Sequence, residues 1–155
     1  MDDATATTGL YLLISALRNF AVQERNLRAG RWKAGSAPGR QFDVTGRTLG
    51  VLGLGGIGLR MAELARAFPM RVVYHNRRPA ANAPEWAEYC EDLYEMLGKT
   101  DVLSVHVPLN EKTVGLVGEK EIRALKKGAI IVNTARGKVI DEEAMIRALQ
   151  DGHVR

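Results

Sequence analysis

The stretch TLGVLGLGGIG, residues 48–58, restricts the fold more than any other part of the chain. Its apolar beginning reads as a turn into a short buried strand. Its end spaces Gly53, Gly55 and Gly58 as G-x-G-x-x-G. In that pattern the first glycine allows a tight turn, the second lets the backbone approach a pyrophosphate, and the third permits close packing of helix on strand. The phosphates then sit at the helix N-terminus. Ile57, Met61, Leu64, Ala65 and Phe68 follow at helical spacing. The glycines therefore stand between a strand and an amphipathic helix, which is the context that separates a dinucleotide fingerprint from an ordinary glycine turn.

The rest of the chain repeats this alternation. RVVYHN (71–76) reads as a second strand, followed by a loop, RRPAANAPEW, and a short helix near EDLYEMLGK. DVLSVHVP (101–108) is a third strand, 119–126 a helix, GAIIVNTA (128–135) a fourth strand, and 141–150 a helix. Asp141 can cap that last helix, with Ile140 and Met145 placed as a hydrophobic staple. Ahead of all this, Leu10, Leu13, Ile14, Leu17 and Ala21 mark one amphipathic helix over 8–28, ended by the glycines and proline of RAGRWKAGSAPG. The strands are apolar runs instead of in-out alternations, as expected when both faces of a sheet are covered. The expected fold is α/β: a Rossmann-type doubly wound parallel sheet with helices on both faces. The final GHVR leaves a helix where another strand should begin, so the last part of the sheet is expected to be cut off. Residues 1–35 are read as an N-terminal helix and arm, and 36–155 as the nucleotide-binding domain.

The fingerprint asks for an acidic residue about 20 positions on, to bind the adenosine ribose. Asn76 stands there instead, 18 residues beyond Gly58, followed by Arg77 and Arg78. A carboxylate would repel a 2′-phosphate, whereas an amide and two guanidiniums can donate to one. The expected cofactor is NADP(H), with NAD(H) as the second candidate; a solvent-facing turn with accidental arginines is the competing reading. Further contacts belong at the C-terminal ends of the other strands. Those ends are Val107, Pro108 and Leu109 after the third strand, and Thr134, Ala135 and Arg136 after the fourth. His75 is read as a strand-end side chain.

Charge and cysteine content exclude other classes. Twenty-two Lys and Arg against eighteen Asp and Glu give +4, a mild excess that suits an anionic ligand without implying nucleic acid. Arg18, Arg25, Arg28, Arg31, Lys33, Arg40 and Arg47 face only Glu24 and Asp43 between residues 18 and 47. The three aromatic residues in this stretch, Phe20, Trp32 and Phe42, do not alternate with these charges as a base-stacking surface would need. The single cysteine, Cys90, excludes an internal disulfide and is read as a semi-buried bystander with no metal set around it. LYLLISAL is far shorter than a membrane span and follows an acidic MDD, unlike a secretory signal, so the expected location is the cytoplasm.

Taken together, LGVLGLGGIG, SVHVPLNEKTVGLV and KKGAIIVNTARGKVIDEEAMIRAL resemble the D-isomer-specific 2-hydroxyacid dehydrogenase family, over nearly the whole chain and including LRAGRW. The nearest subgroup is the NADP-using glyoxylate and hydroxypyruvate reductases, which share the basic end of the second strand. The resemblance implies reduction of a small 2-oxo acid to a D-2-hydroxy acid, with Arg136 holding the substrate carboxylate and carbonyl. A guanidinium suits that role, being able to bind a carboxylate bidentately and to stabilise charge on a reducing carbonyl. Thr134 and Ala135 would line the nicotinamide side. Gly55, Gly56, Ile57 and Gly58 would approach the pyrophosphate, and Val107, Pro108 and Thr113 would shape the wall. The family's proton-donating histidine and its glutamate would lie beyond Arg155, and its substrate domain outside these 155 residues; His106 does not match that acid. The family's cofactor domains pair as dimers, so a homodimer through the first helix is expected. Two readings stay open: the cofactor portion of a reductase, or a catalytically inactive nucleotide-binding or interaction module. A nucleic-acid binder rests on net charge alone.

Overall fold

A computed structural model describes residues 2–32 and 41–155. Lys33, Arg40 and the expected boundary between residues 35 and 36 lie outside the described residues. In chain order the elements are α1 (Asp2–Arg18), α2 (Phe20–Arg28), β1 (Thr48–Leu52), α3 (Gly56–Arg66), β2 (Arg71–His75), β3 (Ala87–Tyr89), α4 (Leu93–Lys99), β4 (Val102–Val105), α5 (Glu119–Ala124), β5 (Ile130–Asn133), a single 3-10 turn (Gly137–Val139) and α6 (Glu142–Gln150). The strands form one parallel sheet in the order β3-β2-β1-β4-β5.

The apolar runs have a direct cause. Alternate residues of each strand enter two different cores. Leu49, Val51, Val72, Tyr74, Val102, Ile130 and Val132 pack with Ala6, Leu13 and Leu17 of α1 and Met61, Ala62 and Ala65 of α3. Leu52, Val73, Leu103 and Val105 pack on the opposite side with Met96 and Leu97 of α4, Ile122 of α5 and Ala144 and Ala148 of α6. With both faces dry there is no polar alternation to read. Gly50, in the middle of β1, is required by packing: a β-carbon there would collide with the Thr100 side chain, which is fully buried and donates to the Met96 carbonyl oxygen at 2.8 Å.

Four expectations are corrected. The helix expected over 8–28 starts at Asp2 and is broken at Asn19, whose φ of 56° is a left-handed conformation that asparagine tolerates. The break turns Ala21 to solvent and buries Asn26 instead, where its Oδ1 accepts from Arg31 Nε at 3.2 Å and Nη2 at 3.0 Å. The polar loop after β2 is followed by an unexpected fifth strand, β3. It is three residues long and lies on the sheet edge, where Arg71 and Lys99 pair with Glu88. Phe68 lies beyond the end of α3 and is exposed instead of marking its buried face. Cys90 is fully buried, not semi-buried.

Asp141 does cap α6, accepting from Ala144 N–H at 3.1 Å, and Ile140 and Met145 are half-buried against the same core. Val154 forms an isolated parallel bridge with Ala129, next to β5, and Arg155 N–H donates to the Ala129 carbonyl at 3.0 Å. Tyr11, Leu12, Phe20, Leu27 and Trp32 along α1, α2 and the residues after them are exposed, Trp32 at 81%. No helix among the described residues is long and apolar enough to cross a membrane.

Candidate functional site

Parallel register brings the strand ends into one line. Leu52 is paired with both His75 and Val105, and Val105 with Asn133. The segments that leave these residues therefore share the C-terminal edge of the sheet. Chain order reverses between β1 and β4, which makes the crevice there the expected ligand site of an open α/β sheet.

The glycines of the first turn are fixed by contacts. Gly53 has φ +98° and donates its N–H to the His75 carbonyl at 3.1 Å. A β-carbon at Gly53 would press on Val107 at 3.0 Å, and one at Gly58 would collide with the Gly53 carbonyl oxygen. Gly58 is thus the point where α3 meets β1. Gly55 is extended, precedes α3, and has open space where a β-carbon would be. No side chain caps α3 by a hydrogen bond, and its first turn has no acidic residue. Its N-terminal N–H groups and positive dipole end thus face the open space at Gly55, which suits an anion, while the Asp2 carboxylate lies against Gly56. Ile57, in the first turn, is half-buried against the α1 and α3 core.

At the end of β2, the Asn76 Oδ1 accepts the Leu54 N–H at 2.7 Å, so the amide oxygen braces the glycine turn. Its Nδ2 has no hydrogen bond among the described residues. Arg77 and Arg78 are exposed and form no ion pair or side-chain hydrogen bond there. His75 is a strand-end side chain as expected, with Nδ1–H donating to the Cys90 carbonyl at 3.0 Å.

The β4 and β5 ends are organised differently. Val107 is half-buried and Pro108 exposed. Thr113 closes the loop between them: its hydroxyl donates to the Pro108 carbonyl at 2.6 Å and accepts the Asn110 N–H at 2.8 Å. Beyond β5, the Thr134 hydroxyl is buried with no hydrogen-bond partner. Such an orphan carries a desolvation cost unless a ligand or water meets it. Ala135 N–H donates to Asn133 Oδ1 at 3.0 Å, and Asn133 Nδ2 donates to the Arg136 carbonyl at 3.0 Å. The exposed Arg136 guanidinium folds back onto the Ala135 carbonyl, Nη1 at 2.8 Å. An open groove of about 740 Å³ runs beside this turn, lined in part by Asn133, Gly137, Lys138, Ile140 and Met145.

Two side chains were missed by sequence reasoning. Asn133 holds both ends of the Arg136 turn; an asparagine closing an apolar strand is a turn former, and that signal was available. Ser104, buried in β4, sits 2.7 Å from His106 Nε2. Burial pushes His106 down to about 4, so the ring is neutral at physiological pH. His153 Nε2 donates to the Ile122 carbonyl at 3.0 Å. Glu88, Cys90 and Glu95 bring ligand atoms within 4.8 Å of one another. Both carboxylates are spent on Lys99, with Arg71 also on Glu88, and burial pushes the Cys90 thiol up.

The uncapped helix, the empty space over Gly55 and the orphaned Thr134 hydroxyl fit a dinucleotide lying along this edge. Comparison with known proteins agrees. Residues 10–155 match the family described as D-isomer specific 2-hydroxyacid dehydrogenase, NAD binding domain. The chain is 43% identical to glyoxylate reductase 1 of Saccharomyces cerevisiae, covering 100% of this chain and 45% of that protein. It is 44% identical to 4-methyl-2-oxopentanoate reductase A of Aspergillus oryzae, over 99% of this chain and 46% of that protein. A crystal structure of a glyoxylate reductase from Paecilomyes thermophila superposes with a TM-score of 0.90 at 44% identity, covering 99% of this chain and 46% of the other. The chain thus spans somewhat under half the length of these relatives. It belongs to the D-isomer-specific 2-hydroxyacid dehydrogenase family and forms a nicotinamide-dinucleotide-binding domain of that family.

Proposed function

We propose that this chain is the cofactor-binding portion of a cytoplasmic NADP(H)-dependent reductase that converts a small 2-oxo acid, of glyoxylate or hydroxypyruvate type, to a D-2-hydroxy acid. The observation that carries the cofactor choice is the end of β2. The Asn76 oxygen is committed to Leu54, so what remains for a ligand there is an amide donor beside two unpartnered guanidiniums. Donors and cations favour a 2′-phosphate; a free ribose hydroxyl pair is better served by a carboxylate acceptor.

The residues divide the work. Gly53, Gly55, Gly56, Ile57 and Gly58 bring backbone N–H groups to the diphosphate; Asn76, Arg77 and Arg78 hold the adenosine phosphate; Val107, Pro108 and Thr113 wall the ring systems; and Thr134 and Ala135 flank the nicotinamide. Bound there, the nicotinamide supplies the hydride. Arg136 orients the oxo acid and stabilises negative charge on its carbonyl oxygen, which requires it to leave the Ala135 carbonyl. His106, neutral and paired with Ser104, is not a proton donor at neutral pH. The acid and its orienting carboxylate are supplied by the longer protein. The names of the relatives, glyoxylate reductase and 4-methyl-2-oxopentanoate reductase, support the substrate class. The exposed apolar residues of α1, α2 and the segment after them, from Tyr11 to Trp32, support pairing into a homodimer.

The test is steady-state turnover by the longer protein with glyoxylate, hydroxypyruvate and 4-methyl-2-oxopentanoate, each with NADPH and NADH. Higher kcat/KM with NADPH and with one of the two smaller acids is expected. Preference for NADH, or for the branched acid, contradicts the respective half of the proposal.

A further inference from the structure

We propose that Asp2 tunes dinucleotide affinity by holding an unpaired carboxylate over the diphosphate position at the start of α3. Gly56 is the first residue of that helix, and a β-carbon there would collide with Asp2 Oδ2 and lie 3.4 Å from Asp2 Cγ. The carboxylate comes from the first turn of α1, 54 residues away in sequence. It is held in position by its neighbour: Asp3 Oδ1 accepts from Arg60 Nε at 2.5 Å, pinning the start of α1 to α3. Asp2 itself is exposed and makes no hydrogen bond or ion pair among the described residues.

Its charge acts in two ways. Without nucleotide, the carboxylate lies at the positive end of α3, where no acidic residue of that helix occupies the first turn, and this interaction favours the empty loop. With nucleotide, the same charge stands beside a dianionic diphosphate that takes over the α3 N–H groups. The repulsion is moderated by water and salt. Asp2 therefore stabilises the empty site and destabilises the filled one, which weakens binding and speeds release. The inference rests on the nucleotide-binding reading above and adds a residue outside the glycine fingerprint.

The experiment compares the wild-type protein with the isosteric Asp2→Asn and with Asp2→Ala. Each is titrated with NADPH and with adenosine 2′-monophosphate, which carries the β2-end phosphate but no diphosphate. Both variants are expected to bind NADPH about three- to tenfold more tightly at low salt, with the gain shrinking as salt rises. Affinity for adenosine 2′-monophosphate is expected to stay the same. Unchanged or weaker NADPH binding in both variants, or an equal gain for both ligands, overturns the role of Asp2 and leaves the nucleotide site intact. Absence of NADPH binding by all three folded proteins overturns the nucleotide reading and this inference with it.

Discussion

The two halves of the strand edge are built on opposite plans. On the β1 and β2 side the backbone is locked by packing and the polar groups are left open. Gly58 abuts the Gly53 carbonyl, Asn76 braces Leu54, and Arg77 and Arg78 face solvent without partners among the described residues. On the β4 and β5 side the polar groups are turned inward. Thr113 bonds to its own loop, Asn133 ties the turn around Ala135, and Arg136 donates to the carbonyl next to it. The first half presents open donors, with the Asp2 carboxylate against Gly56. In the second, the Arg136 guanidinium is engaged by the Ala135 carbonyl, a hydrogen bond that the proposed substrate role requires it to give up.

Gly58→Ala breaks the first half most severely. The new β-carbon has no space against the Gly53 carbonyl, and overpacking at a helix-strand contact costs about 3 kcal/mol. Thermal denaturation and NADPH titration should show a destabilised protein with no measurable binding; near-normal values for both would contradict the packing role.

On the other half, buried Ser104 and half-buried His106 form a pair at the end of β4. His106 has its folded pKa depressed to about 4 from an ordinary 6.5. The unfolded chain therefore binds the proton more readily. The stability contributed by the neutral ring is fully present above about pH 6.5 and lost as pH falls towards 4, by about 3 kcal/mol at most. Denaturant unfolding at pH 7, 5.5 and 4 should show this decline, and His106→Gln should flatten it. An unchanged slope in the variant would assign the decline to other groups.

Asn133→Ala separates the halves. It removes both hydrogen bonds of the Arg136 turn, with an expected cost of about 1–2 kcal/mol in stability. NADPH affinity should change less than Arg136-dependent turnover in the longer protein. A larger loss of affinity than of turnover would mean the two halves are coupled. Arg77→Ala and Arg78→Ala act on the other side with the smallest effect. Each should weaken NADPH about fivefold, leave NADH unchanged, and shift stability by less than about 0.5 kcal/mol, because neither side chain has a partner among the described residues.

How far these features can be read from sequence follows the same division. The glycine loop, the four main strands and the cap at Asp141 are legible because each is a local pattern: fixed spacing, an apolar run, an acid before a helix. β3 is not, since Ala87, Glu88 and Tyr89 carry no apolar run and the strand owes its place to the edge of β2 and to the exposed pairs of Glu88 with Arg71 and Lys99. Each of those pairs contributes little alone. The break at Asn19 is hidden because apolar residues continue on both sides and one left-handed residue leaves no periodic mark. Asp2 over Gly56 and Thr100 beside Gly50 are contacts between distant segments, which spacing cannot reveal. Asn133 is the intermediate case: its turn-forming type was visible, its two partners were not.

The end of β2 is proposed to read a 2′-phosphate through Asn76, Arg77 and Arg78. The most direct test is a fluorescence titration of the folded protein with NADPH and NADH at matched low salt. Tighter binding of NADPH, lost in an Arg77→Ala/Arg78→Ala double variant, is the predicted result. Equal affinity for the two cofactors would contradict it, leaving the fold and the glycine cradle in place while removing the phosphate-reading role of Asn76, Arg77 and Arg78.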